Sequence, residues 1–270
     1  MFSRHMAMSD EAAHEFAREH GTSWVYAFAK VILTPIAKVW FRLKATGAEL
    51  IPAEGPVIVA PNHKSIVDPF FIGLATKRRL HFMAKAELFE GRGARVLAGL
   101  GAYPVRRGTA DPEAMETSRI HLEQGRVIAL FPEGTRHRDP EGLRAPRRGA
   151  GRLAIETGAP IVPCAITGTE RYPRPVRIQV AFAEPIQAAE LEATPQAAAE
   201  LIENQVWPEV EREFRRLRAN KGLIAAAVAA LSAGAAGGTV AYRKSHKPSR
   251  RQAVVKKFRR RKKSRFRPRR

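Results

Sequence analysis

Residues 55–75 read GPVIVAPNHKSIVDPFFIGLA and contain a short apolar run, a polar turn and a second apolar stretch in direct succession. The run at 55–60 is bounded by Gly and Pro and predicts a buried strand. Residues 69–75 predict the beginning of a helix. A strand that leads through a polar turn into a helix is typical of α/β domains.

The same alternation continues along the chain. Further strands are predicted at 80–84, 103–105, 127–131, 161–166 and 176–182, and further helices at 86–100, 112–123, 149–157 and 195–219. We therefore expect an α/β fold, a layered mixed sheet flanked by helices. We assign this domain to residues 45–220, preceded by an N-terminal arm and membrane-contact segment at 1–44.

The polar turn after the first strand carries a histidine and an aspartate at a spacing of five residues, His63 and Asp68. Histidine can remove a proton from an alcohol near neutral pH, because its unperturbed pKa is about 6.5. A carboxylate that fixes the tautomer of the ring improves such a base. Taken alone, a His/Asp pair at this spacing is more often surface decoration or helix capping than a catalytic pair.

A second polar motif, FPEGTR at 131–136, directly follows the predicted strand at 127–131. Ligands of layered α/β sheets bind beyond the carboxyl ends of strands, and arginine suits phosphate recognition through paired hydrogen bonds. Two further clusters are GAYPVRRG at 101–108 and APIVP at 159–163. Each of these segments, considered singly, could be a structural turn or strand.

Together and in this order, the four segments resemble the glycerolipid acyltransferase family, of which the 1-acylglycerol-3-phosphate acyltransferases are members. Asn62, His63 and Asp68 match its first block, with Ser65 also fitting, and residues 131–136 match its third block in full. Gly101 and Arg107 match the second block, although Pro104 replaces a bulky apolar residue. Residues 160–163 match the fourth, so the resemblance covers about residues 45–185.

The resemblance implies acyl transfer from acyl-CoA or acyl-carrier protein to the hydroxyl of lysophosphatidic acid, which gives phosphatidic acid. It implies His63 as general base and Asp68 as its partner. Substrate binding is expected from the following residues: Arg107, Glu133, Gly134, Thr135 and Arg136. Another lysophospholipid, glycerol 3-phosphate or a glycolipid remains possible as acceptor. No metal or organic cofactor is implied, and the single cysteine, Cys164, is expected to be a small buried residue.

The net charge of +21 is concentrated at the C-terminus. Residues 243–270 hold 16 Lys and Arg with no Asp or Glu, which leaves +5 for residues 1–242. We expect a disordered tail that binds anionic phospholipid. A nucleic-acid-binding protein is a distant alternative that rests on this tail alone, because zinc spacings and RNA-recognition motifs are missing from the sequence.

Two apolar segments bear on membrane contact. Residues 24–43 (WVYAFAKVILTPIAKVWFRL) contain Lys30 and Lys38, each costly at a bilayer centre, which favours a helix lying in the interface; packing on the domain's own core is the alternative. The Ala/Gly-rich segment at 221–242 is expected to be interfacial, re-entrant or packed against protein. We therefore expect a peripheral or monotopic enzyme on the cytoplasmic face of the cell membrane.

Overall fold

The fold is known from a computed structural model, which describes residues 7–108, 111–189 and 191–219. Residues up to Arg218 belong to one compact unit. The helices are α1 (Asp10–His20), α2 (Trp24–Trp40), α3 (Asp68–Ala75), α4 (Ala94–Gly99), α5 (Pro112–Glu123), α6 (Gly149–Thr157) and α7 (Pro195–Glu200). After α7 the chain forms a π-helical turn at Leu201–Val206 and remains helical over 207–218.

Within the described residues, seven strands form one mixed sheet. They are β1 (Lys44–Thr46), β2 (Val57–Pro61), β3 (Leu80–Lys85), β4 (Ala102–Val105), β5 (Val127–Ala129), β6 (Ile161–Thr167) and β7 (Gln179–Phe182). Their spatial order is β1-β7-β6-β2-β5-β3-β4, and all neighbours are parallel except β6 and β7. The predicted mixed α/β sheet is thus confirmed. Because β2, β5 and β6 are central and parallel, the loops that follow them meet at one edge of the sheet.

The two faces of the sheet are covered by different helices, and the alternation of side chains along β2 shows this directly. Val57 and Val59 pack into a core with residues of α3 and α4, whereas Ile58 and Ala60 pack on the opposite face with residues of α5 and α6. A strand buried on both faces explains why 57–60 is continuously apolar rather than alternating. The parallel strands and their flanking helices therefore hold the ends of β2 and β5 in fixed register.

Several predicted elements differ in detail from the structure. The helix predicted at 86–100 is a 3-10 turn at Ala86–Leu88 followed by the short α4, so the stretch between them is not helical. That stretch contains Gly91 and Gly93, and glycine disfavours helix interiors by about 1 kcal/mol relative to alanine. The helix α1 was not predicted, and Ser9 caps it by accepting a hydrogen bond from the Ala12 N–H.

The predicted segment at 221–242 and the basic tail at 243–270 lie outside the described residues. Within the described residues, no helix combines the length and the apolar character needed to cross a bilayer. The segment 24–43 was predicted to be helical, and its residues Trp24–Trp40 form α2.

Candidate active site

The end of β2 is joined to β6 by the side chain of Asn62. Its Nδ2 donates to the carbonyl oxygen of Ile166 (3.1 Å), and its Oδ1 accepts from the Ile166 N–H (2.7 Å). Asn62 is fully buried, so both of its polar atoms need such partners. This pair of bonds fixes the position where the chain leaves the sheet and enters the turn with His63.

The turn that follows brings His63 and Asp68 together, as the sequence spacing suggests. Nδ1 of His63 lies 2.9 Å from Oδ2 of Asp68. The same oxygen also accepts from the backbone N–H groups of Lys64 (2.6 Å) and Ser65 (2.7 Å). Asp68 is the first residue of α3, so one carboxylate oxygen closes the turn and orients the ring at the same time.

These bonds define the protonation of the histidine ring. An ionised carboxylate is only an acceptor, so Nδ1 of His63 carries the hydrogen and Nε2 carries the lone pair. His63 lines a groove in which its Nε2 makes no hydrogen bond to the described residues. The ring also packs on Phe131, with centroids 4.1 Å apart. Nε2 of His63 is therefore a basic nitrogen at the groove, and the hydrogen bond between Nδ1 and Asp68 fixes the orientation of the ring.

The backbone of His63 is held by the segment that follows β5. Its N–H donates to Oε1 of Glu133 (2.8 Å), a residue 70 positions away, and its carbonyl oxygen accepts from the His137 N–H (2.8 Å). Glu133 is 2% exposed, and its second oxygen accepts from the Arg144 N–H (3.0 Å). Burial raises the pKa of Glu133, against the opposing effect of these two N–H donors. Glu133 thus connects the two polar motifs.

Lys64 is a buried cation that the sequence analysis did not single out. Its Nζ donates to the carbonyl oxygens of Asp139 (2.7 Å) and Gly142, and lies 4.9 Å from the centre of the Phe214 ring. Burial lowers the pKa of Lys64, and the nearby carboxylate of Glu133 acts in the opposite direction. Its contacts link the His63 turn to the loop after β5, so Lys64 stabilises the packing of these two segments against each other.

The groove beside His63 has a volume of about 900 Å³ and runs between α5 and α6 across the ends of β3, β4 and β5. Its floor is apolar, and its walls are rich in arginine. The apolar residues of the floor and walls include Met83, Val105, Met115, Leu130, Phe131 and Leu153. The basic residues are Arg106, Arg107, Arg119, Arg147, Arg148 and Arg152. Such a groove accommodates a substrate that combines apolar and anionic parts.

The arginines of the groove differ in their ion pairing. Arg106 pairs with Asp10 (2.7 Å), and Arg152 pairs with Glu156 (2.6 Å). Arg119 pairs with two glutamates of its own helix. Within the part of the chain that the structure describes, the remaining three arginines of the groove, Arg107, Arg147 and Arg148, form no ion pair with a carboxylate.

The predicted substrate-binding residues lie around the same end of the sheet. Arg107 and Gly134 line the groove together with His63. Arg136 is exposed. Desolvation by burial is the main cause that lowers the pKa of Arg107, and the positive charge of Arg136 is the second cause. Thr135 is half-buried in the same loop. Their predicted roles in binding remain predictions, but all of these residues belong to segments that meet near the groove.

Gly134 has a conformation and an environment that require glycine. Its φ is +67°, and an added Cβ would lie 2.9 Å from Nε of Arg147. The Arg147 backbone N–H donates to the Pro132 carbonyl oxygen (2.8 Å), which holds Arg147 over this turn. Sequence reasoning missed Arg147 and Arg148; the signal that could have revealed them is the basic pair directly before the helix predicted at 149–157.

Cys164 lies on β6 with no exposed surface. Burial raises the pKa of its thiol, so the thiolate form is disfavoured. A thiol without access to the groove cannot attack a substrate there.

Comparisons with known proteins agree with the fold and with the class of enzyme. A sequence model of the family described as Acyltransferase matches residues 42–167. The 1-acyl-sn-glycerol-3-phosphate acyltransferase of Bacillus subtilis is 28% identical over 203 residues, covering 72% of this chain and 100% of that protein. The protein of the same name from Borreliella burgdorferi is 31% identical over 134 residues, covering 48% of this chain and 53% of that protein.

The crystal structure of the 1-acyl-sn-glycerophosphate acyltransferase PlsC from Thermotoga maritima shares the fold. It has a TM-score of 0.59 and 24% sequence identity, and the match covers 76% of this chain and 83% of that chain.

An α/β sheet that carries a paired His63 and Asp68 beside an arginine-rich groove, with these similarities, defines an acyltransferase. More closely, the chain is similar to the glycerolipid acyltransferases and is of the 1-acylglycerol-3-phosphate O-acyltransferase-like class. The resemblance inferred from the four sequence segments is confirmed.

Proposed function

We propose that this enzyme transfers a fatty acyl group from acyl-CoA or acyl-carrier protein to the free hydroxyl of lysophosphatidic acid, giving phosphatidic acid. The observation that carries the proposal is the contact between Nδ1 of His63 and Asp68 (2.9 Å) in a groove lined by six arginines, three of which form no ion pair within the described residues. The names of the relatives from Bacillus subtilis and Borreliella burgdorferi support the choice of acceptor.

In the proposed mechanism His63 is the general base. Nε2 removes the proton of the acceptor hydroxyl, while Asp68 stabilises the imidazolium that forms. The hydroxyl oxygen forms a bond with the thioester carbonyl carbon, and the carbon–sulfur bond then breaks. The thiolate leaves with the proton returned by His63. The buried position of Cys164 supports direct transfer without a covalent acyl-enzyme.

Arg107 and Arg136 are proposed to hold the phosphate of the acceptor, together with the loop of Gly134 and Thr135. Two guanidinium groups favour a dianionic ligand, since each gains a charge-assisted hydrogen bond. Their mutual repulsion in the free protein, which contributes to the lowered pKa of Arg107, supports this assignment. In this proposal Glu133 serves the site by fixing the backbone of His63.

The enzyme is proposed to act at the cytoplasmic face of the cell membrane, with α2 as its contact. Eight large apolar side chains of α2 are at least 42% exposed, the most exposed being Val39 (80%) and Trp24 (75%). Lys30, in contrast, points its amino group at the Thr76 carbonyl oxygen (2.5 Å). A large exposed apolar surface is typical of membrane or protein contact. The basic tail is proposed to add attraction to anionic lipid.

Mass spectrometry of the products tests the function. The wild-type protein is incubated with lysophosphatidic acid and a set of acyl-CoAs or acyl-carrier protein, beside His63→Ala and the control His137→Ala. His137 follows the FPEGTR motif, but its ring lies outside the groove, so we expect it to be dispensable. Phosphatidic acid from the wild type and His137→Ala, and none from His63→Ala, is the expected result. Product from all three would reject His63 as the base, and the absence of phosphatidic acid with the wild type would reject lysophosphatidic acid as the acceptor.

A further inference from the structure

The acceptor site leaves part of the groove unexplained. His63, Arg107, Gly134 and Arg147 line one part of it, and the groove continues between α5 and α6 to Arg148, Arg152 and Glu156. Ligand sites for small molecules have volumes of roughly 300–1,000 Å³, so a groove of about 900 Å³ is large for a single head group. A second substrate must reach His63 as well, since acyl transfer joins two molecules.

The cations on α6 lie beside a second hollow. This hollow has a volume of about 240 Å³ and is lined by Arg148, Arg152 and Glu156, which also line the main groove, and by residues of the loop before α7. The loop residues are Ala193, Thr194 and Pro195, and Ile155 of α6 adds to the lining. Arg148 and Arg152 therefore lie where the groove that contains His63 adjoins a smaller, partly apolar hollow.

The chemical groups of a thioester donor match the apolar and basic surfaces of the groove. The acyl group of both acyl-CoA and acyl-carrier protein is carried by a pantetheine arm that ends in a phosphate. An arm with few charges suits the apolar floor, and a phosphate suits a pair of guanidinium groups. In CoA further phosphate groups and an adenosine follow, and the hollow beyond Arg148 offers space in that direction.

We propose that Arg148 and Arg152 form the phosphate-binding site for the phosphopantetheine arm of the acyl donor, where the groove adjoins the second hollow. The inference rests on the proposed function, because it assumes a thioester donor that reacts at His63. Glu156 modulates the site, since its carboxylate pairs with Arg152 (2.6 Å) and must share that guanidinium with the incoming phosphate.

Donors that differ in their phosphates test the assignment. Acyl-CoA, acyl-4′-phosphopantetheine and acyl-pantetheine, all with the acyl chain that the wild type uses best, are compared with Arg148→Ala and Arg215→Ala. Arg215 is an exposed arginine with an i,i+4 partner, Glu211, outside the groove, so it is a matched control. We expect Arg148→Ala to lower kcat/KM about tenfold for the two phosphate-bearing donors, as the loss of one hydrogen bond to a charged group does. We expect no change for acyl-pantetheine or for the acceptor KM.

A variant that is expected to raise kcat/KM, rather than lower it, strengthens the test. Glu156→Gln removes the competing carboxylate, so kcat/KM for phosphate-bearing donors should rise while that for acyl-pantetheine stays constant. Losses of equal size with all three donors, or no loss with any, would overturn the proposal although acyl transfer itself continued. Acyl-carrier protein is compared as a fourth donor. A larger effect of Arg148→Ala with it than with acyl-CoA would identify the carrier protein as the donor that this site binds.

A binding measurement separates this inference from the proposed function. CoA is titrated into the wild type, Arg148→Ala and Arg215→Ala by calorimetry, which needs neither an acceptor nor turnover. Binding that weakens about tenfold in Arg148→Ala alone would support the site even if lysophosphatidic acid were not the acceptor. Absence of CoA binding to the wild type, or equal affinity in all three proteins, would refute it.

Discussion

Replacement of Asp68 by asparagine isolates the charge behind His63 from the structure that this carboxylate supports. Oδ2 of Asp68 accepts three hydrogen bonds, from Nδ1 of His63 and from the backbone of Lys64 and Ser65. The side-chain oxygen of an asparagine can accept the same three bonds. Its amide nitrogen would take the place of Oδ1, which is buried and makes no hydrogen bond among the described residues. We therefore expect Asp68→Asn to fold with a smaller loss of stability than Asp68→Ala, since its cost is limited to one buried amide group without an acceptor.

The catalytic loss follows from the distance. An imidazolium and a carboxylate 2.9 Å apart attract each other by about 6 kcal/mol at an effective dielectric constant of about 20. This corresponds to roughly four orders of magnitude in rate if all of it is realised in the transition state. The positive charge is spread over both nitrogens of the ring and water fills the groove, so we expect kcat to fall about 10³- to 10⁴-fold.

The assay is steady-state acyl transfer, together with thermal unfolding of the same samples. Asp68→Ala is the matched comparison, because it removes the charge and leaves the buried N–H donors without an acceptor, at about 1–3 kcal/mol for each donor. Both variants should lose activity, but Asp68→Ala should show the larger fall in Tm. If Asp68→Asn retained a kcat within tenfold of the wild type, stabilisation of an imidazolium by Asp68 would be refuted, and with it the proposed base.

Three further predictions concern acceptor binding, acid stability and helix packing. Arg107→Ala should raise the acceptor KM at least tenfold with a smaller change in kcat, and an unchanged KM in steady-state kinetics would contradict its role. The pKa of buried His81 is lowered to about 4 by desolvation, so its neutral form stabilises the fold above pH 6.5, and this contribution, about 3 kcal/mol at most, is lost as the pH falls from 6.5 to 4. Urea unfolding at pH 7 and pH 4.5 should show this loss, and His81→Gln should reduce it; an equal pH dependence in both proteins would disprove the assignment. Gly151→Ala would place a Cβ 2.3 Å from the Ala198 carbonyl oxygen and should destabilise the protein by about 1–3 kcal/mol in denaturant titration, whereas Gly149→Ala, with no atom within 4 Å of the added Cβ, should not.

Local patterns predicted much of this fold because the determining contacts are local. The helices at 112–123 and 149–157 have the predicted bounds, and the buried strands at β2 and β6 are close to theirs. The pairing of His63 with Asp68 was predictable for the same reason, since only five residues separate them. The short strand β1 was missed: it gains its stability from pairing with β7, more than a hundred residues away, and three residues carry no pattern of their own.

The parts of the site that could not be predicted depend on distant contacts. Nothing near Glu133 in the sequence indicates that its carboxylate accepts the His63 N–H, because that bond exists only once β2 and β5 lie side by side. The basic pair Arg147 and Arg148 likewise gains its meaning from the groove between α5 and α6. The residue types and order of the FPEGTR segment predicted that it is functional. Which of its atoms face the substrate and which face His63 depends on the fold.

The position of Glu133 leads to a last prediction, which separates binding from positioning. His63 is held at three points: its ring by Asp68, its N–H by Glu133 and its carbonyl oxygen by the His137 N–H. In Glu133→Gln the amide can accept only one of the two backbone N–H groups that the carboxylate serves, so one of them is left facing an amide nitrogen. If Glu133 positions His63, kcat should fall about tenfold or more while the acceptor KM changes little, as expected for a base displaced from its productive geometry.

The opposite pattern, a raised acceptor KM with kcat unchanged, would assign Glu133 to substrate binding, the role predicted from the sequence. Glu211→Gln on the exposed surface is the control, because it removes a carboxylate from an ion pair far from the groove residues. We expect the positioning result, since a side chain that is 2% exposed and bonded through both oxygens to backbone has no free oxygen directed at a substrate. The position of the base, rather than another contact to the acceptor, is then what this carboxylate supplies to the reaction.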